Sequence, residues 1–321
     1  MRYQPNTFPV NQVVTVKTSA RLHMGFYDLT VGINGVTHQF GSLGLAIDAP
    51  TTIITLTKSE QLRFDISCNE HVIQIVNRLI HALNIKPHFS LSINTEIPAH
   101  IGLGSGTQLA LAIGTGLNQL FNLQLSVAQI ALAAQRGKRS GIGIATFERG
   151  GFLVDDKTDS AVPQIVVRQD CPSDWCVLLI NDSAHIGVHG ALELAAFAKL
   201  KPTQNSLRDM VFKHMMPALQ RADLLAFGAY MQDLQAYNGA YFAPIQGGHF
   251  ASKDVADVMA WLQQNGAACV GQSSWGPTGF AILQNQQQAD ALQHQAQLAF
   301  ADRSNISFQI VRGNNAGATI I

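Results

Sequence analysis

The run Ile97-Pro98-Ala99-His100-Ile101-Gly102-Leu103-Gly104-Ser105-Gly106-Thr107-Gln108 follows a β-branched stretch, opens a long apolar one, and sets three glycines at alternate positions. Glycine lets a backbone approach an anion closely and turn successive N–H groups toward it. A helix beginning near Gln108 adds its unpaired amide donors and the positive end of its dipole. Ser105 and Thr107 supply hydroxyls able to bond phosphate oxygens or to ligate magnesium. The spacing excludes two better-known phosphate loops. No Lys-Ser or Lys-Thr follows the last glycine, as a P-loop requires, and Thr107 stands where a dinucleotide-binding loop would continue toward a third glycine. The structural alternative is a flexible strand-to-helix turn.

Other constellations are weaker. Asp155-Asp156-Lys157-Thr158-Asp159-Ser160 lies between strand-like runs and reads as a hairpin turn. His185 and His189, with Glu193, sit at the entry to a helix among Gly187 and Gly190, which favours a substrate-facing loop over a metal site. Gln246-Gly247-Gly248-His249 and Ser273-Ser274-Trp275-Gly276-Pro277 combine glycine with polar side chains between regular elements, as binding loops do. The cysteines Cys68, Cys171, Cys176 and Cys269 form no C-x2-C pair and read as reduced thiols.

The elements that hold these residues have to come from a chain of 321 residues, longer than the ~250–300 at which one core usually stops growing, so two domains sharing a cleft are expected. Strand-like runs cover 13–18, 51–57, 89–97, 142–154, 175–180, 280–283 and 306–311. Helical periodicity covers 71–83, 108–121, 127–136, 192–199, 206–219, 222–235, 255–264 and 288–300. Strands dominate the first half and helices the second, without βαβ alternation, which fits an α+β design. A polar stretch at Arg168 to Ser173 divides it into domains of residues 1–171 and 172–321. Lys plus Arg equals Asp plus Glu at 21 each, so no overall field recruits nucleic acid or an anionic membrane, and any phosphate site has to be local. Met1 to Asn6 lacks the pattern of a secretory leader, and Leu109 to Leu125 is interrupted by Gly114, Gly116, Asn118 and Gln119; a cytoplasmic location is expected.

Pro98-x3-Gly102-Leu103-Gly104-Ser105 resembles the central phosphate motif of the GHMP kinase superfamily. Thr18-Ser19-Ala20-Arg21-Leu22-His23-Met24-Gly25 resembles its first motif, and Gly271 to Gly279 occupies the place of its third. The resemblance implies a fold with an N-terminal domain like the second domain of ribosomal protein S5 and a ferredoxin-like C-terminal domain. Many such kinases carry Ser-Gly-x-Asp, whose Asp helps to activate the substrate hydroxyl. Here the run is Ser140-Gly141-Ile142-Gly143, the nearest acid in sequence is Glu148, and Gly106 replaces the second serine of the loop. A phosphoryl acceptor needs orienting, often by a carboxylate, which Gly143 cannot provide.

These departures are similar to the β-ribofuranosylaminobenzene 5′-phosphate synthase family of methanopterin biosynthesis. The likeness rests on Ser19 to Phe26, Arg139 to Phe152, Gln246-Gly247-Gly248 and Gly271 to Thr278. It implies a decarboxylating pentosyl transfer that joins 4-aminobenzoate to phosphoribosyl pyrophosphate and releases carbon dioxide and pyrophosphate. For that chemistry the expected phosphate-binding residues are Gly102, Gly104, Ser105, Gly106, Thr107, Arg139 and Ser140, with magnesium on Thr107 and Glu148. Arg21 could clamp the carboxylate and His23 could donate a hydrogen bond or handle a proton. Phe26, Tyr27 and Trp275, with Gln246, Gly247, Ser273 and Ser274, are the expected substrate contacts. Each has a structural alternative: Arg21 as an ion-pair partner, His23 as a satisfied core residue, Lys138 and Arg139 as a solvated pair, Phe26 and Tyr27 as core. A homodimer is implied, and two other readings stay open: a small-molecule kinase with its base elsewhere, and a non-catalytic nucleotide-binding regulator.

Overall fold

A computed structural model describes residues 12–30, 40–157, 162–188 and 190–321. Met1 to Asn6, the Thr158-Asp159-Ser160 part of the expected hairpin turn and His189 lie outside the described residues.

The architecture is α+β. Strand β1 (Val13–Asp28) alternates buried and exposed residues over its first five positions, then stays almost continuously buried from Thr18 onward. That change of pattern marks where the strand passes from a half-exposed sheet to one covered on both faces. β1 pairs antiparallel along nearly its whole length with β2 (Gly41–Lys58), and its register shifts between Ser19 and Arg21, His23 and Gly25, and Phe26 and Asp28. Each shift re-aims the side chains beside it, and these positions hold the first motif.

β3 (Arg63–Phe64), α1 (Glu70–Leu83) and β4 (Phe89–Thr95) extend the unit; α2 (Ser105–Phe121), α3 (Val127–Ala133) and α4 (Ile142–Arg149) follow, then β5 (Phe152–Asp156) and β6 (Gln164–Gln169). The larger sheet runs β11-β1-β2-β4-β3, with β5 pairing β2 and β6. Its helices bury Val72, Val76, Leu109, Ile113 and Leu117 against Val14, Val16, Ile54 and Leu56. The second half contributes β7 (Cys176–Asp182), α5 (Gly190–Lys199), α6 (Arg208–Met210), a π-helical turn (Val211–Met215), α7 (Met216–Gln220), α8 (Leu224–Gln246), α9 (Lys253–Gln264), β8 (Cys269–Gln272), β9 (Gly279–Leu283), α10 (Gln286–Ala299), β10 (Ile306–Arg312) and β11 (Thr319–Ile320). Its antiparallel sheet has the order β10-β7-β9-β8. The last strand of the larger sheet before the crossover, β6, ends at Gln169 and the smaller sheet starts at Cys176, and β11 crosses back to pair with β1. A shared core containing Leu22, Met24, Phe152, Trp175, Leu179, Phe227 and Phe280 fuses the halves.

Three sequence expectations are corrected. The run 142–154 is not one strand: residues 142–149 form α4, because Ile142 and Ala145 bury against Leu153 on one side while Ile144 and Phe147 join the α1–α3 core on another. Burial on two sides overrides the strand preference of β-branched residues. α8 continues past residue 235 to Gln246, with Pro244 inside it, and Gly247 caps its end. α2 begins at Ser105 rather than Gln108, capped by Gly104 in the left-handed region at φ 83°. Among the described residues no helix is long and apolar enough to cross a membrane.

Candidate active site

Backbone contacts bring the separated motifs together on β1. The Arg21 amide donates to the Leu103 carbonyl at 3.1 Å, tying the glycine turn to the strand, and the Ser274 amide donates to the His23 carbonyl at 2.9 Å. The Ser273 hydroxyl closes the arrangement: it accepts from the His23 amide at 3.0 Å and donates to the Gly102 carbonyl at 2.7 Å. From the far side, Gln235 and Asn238 of α8 clasp the bulged part of β1. Gln235 donates to the Met24 carbonyl at 2.7 Å, and Asn238 bonds both the amide and the carbonyl of Phe26 at 2.9 Å.

These contacts frame a cleft of about 770 Å³. One wall is cationic: Arg21, Arg136, Lys138 and Arg139 line it, and Thr107 lies beside them. Glu193 from α5 is the one carboxylate among the lining residues described, and it is ion-paired with Arg139. The guanidinium of Arg139 also sits 4.4 Å over the Phe197 ring. Arg21 donates Nη1 to the Gly102 carbonyl at 2.5 Å, while its Nε and the Nε of Arg136 are buried without a hydrogen-bond partner. Burial lowers the Arg21 pKa to about 10, partly opposed by Glu193, so the side chain remains charged at neutral pH. Four cations facing one described carboxylate leave positive charge in excess, which fits a ligand that brings several negative charges.

The other wall is aromatic. Phe26, Phe197, Phe242 and Trp275 line the cleft, with Phe242 and Trp275 at 4.6 Å between ring centroids and Phe197 and Trp275 at 5.5 Å. His23 stands between the walls, two residues from Arg21, its ring 4.7 Å from that of Phe26 and its Nδ1 buried without a partner. Burial first, and the Arg21 charge second, push its pKa down to about 3, which keeps the imidazole neutral.

Several expected site residues are placed elsewhere. Tyr27 is fully buried, its hydroxyl donating to the Asp155 carbonyl at 2.9 Å and its ring meeting the edge of Phe212, because the bulge before Asp28 turns it into the shared core. Glu148 is exposed on α4, pairs with Arg149 at 3.1 Å and does not line the cleft, so it is not positioned to hold a metal there. Gly247 is an exposed helix cap, and Ser273 is wholly buried in its staple; neither lines the cleft, whereas Gln246, Ser274 and Trp275 do. Of the glycine turn only Thr107 lines the cleft directly. Gly102 anchors Arg21 and Ser273, Gly104 leaves room for the Arg21 side chain, Gly106 faces the Arg136 guanidinium, and Ser105 starts α2. Ser140 reaches the cleft, but its hydroxyl donates to Asp155 Oδ2 at 2.8 Å. The 185–188 segment is a loop, with Gly187 donating to the His100 carbonyl at 2.9 Å, and no cluster of three His, Cys, Asp or Glu occurs among the described residues.

Asp155 is the residue that sequence reading missed. Wholly buried at the end of β5, its carboxylate accepts from the Ser42 amide and hydroxyl at 2.7 and 2.6 Å and from the Ser140 hydroxyl and Gly141 amide at 2.8 and 2.6 Å. It fixes the turn that presents Lys138 and Arg139. Arg136 and Glu193 were visible as charges, but only the tertiary fold sets them across one cleft.

The chain is 32% identical over 303 residues to the β-ribofuranosylphenol 5′-phosphate synthase of Methanocaldococcus jannaschii, covering 83% of this chain and 88% of that one. It belongs to the β-ribofuranosylphenol 5′-phosphate synthase family. The protein of the same name from Methanothermobacter thermautotrophicus is 25% identical over 296 residues, again covering 83% and 88%. Residues 70–151 match the GHMP kinases N terminal domain and 215–302 the GHMP kinases C terminal family. The fold is shared with homoserine kinase from Cytophaga hutchinsonii (TM-score 0.68, 20% identity, full coverage of both chains). It is shared too with mevalonate diphosphate decarboxylase from Staphylococcus aureus (TM-score 0.64, 15% identity, 97% and 98% coverage). Within that fold this chain sets Gly143 against Thr107, where a Cβ would stand 3.1 Å from the threonine methyl. No described carboxylate other than the paired Glu193 faces the cleft.

Proposed function

We propose that this chain catalyses its family's pentosyl transfer, forming a carbon–carbon bond between C1 of phosphoribosyl pyrophosphate and the ring carbon of a 4-substituted benzoate. The observation that carries the reading is the junction of an anion-deficient cationic wall with an aromatic box at Arg21 and His23. A diphosphate leaving group suits the first wall and an arene the second. The resemblance points to 4-aminobenzoate; the relatives' name contains a phenol, which points to the 4-hydroxy acid for them. Both substituents donate electrons into the ring, so the same site chemistry serves either.

The step balances without a base. The C1–oxygen bond breaks with its electron pair leaving on pyrophosphate, and ring π electrons form the new C1–carbon bond. Cleavage of the ring–carboxylate bond then returns its electron pair to the ring as carbon dioxide departs, restoring aromaticity. The absence of a side chain at Gly143 is therefore compatible with the chemistry. Arg136, Lys138 and Arg139 hold the diphosphate, Arg21 at the seam orients the carboxylate, and Phe26, Phe242 and Trp275 confine the ring. Neutral His23 offers a hydrogen bond at the seam without adding positive charge beside the developing cationic sugar.

Magnesium, when bound, would neutralise charge developing on the leaving diphosphate. Thr107 is the hydroxyl placed to meet it, and Glu193 is engaged by Arg139, so the protein supplies few oxygens and the ion fits as one carried by the diphosphate and water. A donor this highly charged does not cross a bilayer, which supports the cytoplasm as the site of action.

The test is release of labelled carbon dioxide from carboxyl-labelled 4-aminobenzoate and 4-hydroxybenzoate in separate incubations with phosphoribosyl pyrophosphate. Release from one or both is expected; release from neither, with ATP turnover on an alcohol, would overturn the reading. Arg21→Ala is expected to lower kcat/KM for the aromatic acid by about 100-fold or more, and an unchanged value would remove the clamp.

A further inference from the structure

Glu193 is out of keeping with the wall it joins. It reaches from α5 to ion-pair with Arg139, and its charge partly opposes the lowering of the Arg21 and Arg136 pKa values by burial. Phe197, one helical turn further along α5, lies under the same Arg139 guanidinium at 4.4 Å and also contacts Trp275 and Phe242 of the aromatic box. One helix therefore presents a carboxylate to the cationic wall and a ring to the aromatic wall, with Arg139 gripped by both.

We propose that Glu193 is an internal counter-ion occupying the polyanion subsite, and that the substrate's diphosphate displaces it. The proposal rests on the diphosphate reading of the cleft, but not on which aromatic acid follows. Buried or half-buried guanidinium groups without an anion nearby are costly, and a carboxylate among them offsets part of that cost when no ligand is bound. A diphosphate brings more charge and more acceptor oxygens than one carboxylate, so it wins the exchange, whereas a weak monoanion does not. Glu193 then acts as a threshold for anion charge. Its release also frees α5, and with it Phe197, so that filling the cationic wall adjusts the aromatic wall before the acid enters. Glu193 is a positioning and specificity residue in this account and takes no part in bond changes.

Binding of inorganic pyrophosphate, measured by equilibrium dialysis on the purified wild type, Glu193→Gln and Glu148→Gln, provides the test. Both substitutions remove one negative charge, but Glu148 lies outside the cleft. Glu193→Gln is expected to tighten pyrophosphate binding about three- to tenfold at low ionic strength, with the gain shrinking as salt is added, and Glu148→Gln to leave it unchanged. Orthophosphate is expected to bind measurably only to Glu193→Gln. Unchanged or weaker pyrophosphate binding by Glu193→Gln overturns the proposal while leaving the functional reading intact, as does an equal gain in Glu148→Gln, which would mark a long-range charge effect. Failure of all three proteins to bind pyrophosphate overturns both.

Discussion

Arg21 and His23 stand two residues apart on β1, yet the strand bulges on either side of them decide what each can do. Arg21 spends one nitrogen on the Gly102 carbonyl and keeps Nε unpaired; His23 is anchored through its amide and carbonyl, and its buried ring packs against Phe26 with Nδ1 unpaired. Its folded pKa of about 3 lies below the ordinary 6.5, so the unfolded chain binds the extra proton in that interval. The stability contributed by neutral His23 is fully present above pH 6.5 and is lost as pH falls toward 3. Asp155 slopes the opposite way, because burial raises its pKa to about 6, so the comparison has to be between two proteins rather than along one curve. Between pH 6.5 and 5, the wild type is expected to lose about 2 kcal/mol more than His23→Gln in urea unfolding; parallel losses would show that the ring is not buried in its neutral form. Residue identity alone carried the sequence reading as far as Arg21, His23, Phe26 and Trp275. It failed at Tyr27, because only the register shift between Phe26 and Asp28 tells a cleft aromatic from a core one.

At the scale of elements, the turn from Arg136 to Gly141 is held from below by β5. Four donors converge on the Asp155 carboxylate, and two of them belong to Ser140 and Gly141. Asp155→Asn keeps the size but replaces one acceptor with a donor facing other donors, so a loss of about 2–3 kcal/mol in unfolding free energy is expected. The turn carries Lys138 and Arg139, and KM for the phosphoribosyl donor is accordingly expected to rise more than kcat falls. A kcat loss with KM unchanged would contradict this positioning role. The sequence showed Asp155 only as part of a polar cluster between strands, since nothing local marks a carboxylate whose partners lie on other elements, Ser42 113 residues away and Ser140 15 residues away across α4. The same limit explains α4, whose β-branched residues look like a strand until two separate cores claim opposite faces of one helix. Amphipathic helices such as α1 and α9 and the alternating strand β10 were legible because their own periodicity matches the face they bury, while β7 and β9 were legible as short continuous apolar runs buried on both faces.

Over the whole molecule, 21 basic and 21 acidic residues cancel, yet the cleft gathers four cations against a single carboxylate. Acidic residues elsewhere are committed locally, as in Lys157–Asp28, Arg208–Asp156 and Arg303–Asp254. In the proposed reading, this separation gives the diphosphate a local cationic site on a chain with no net charge. It also bears on the metal. The described residues hold no cluster of three His, Cys, Asp or Glu, so in the proposed reading magnesium is carried in by the diphosphate. Chelation by EDTA is therefore expected to abolish turnover while leaving Tm of the free protein unchanged. Magnesium alone is expected not to shift Tm either, whereas magnesium with pyrophosphate raises it through linkage, by about 2.7 kcal/mol of stability at a hundredfold excess over Kd. A Tm increase from magnesium alone would instead require a resident site built by the protein, and would displace Thr107 from its place as the hydroxyl that meets a substrate-borne ion.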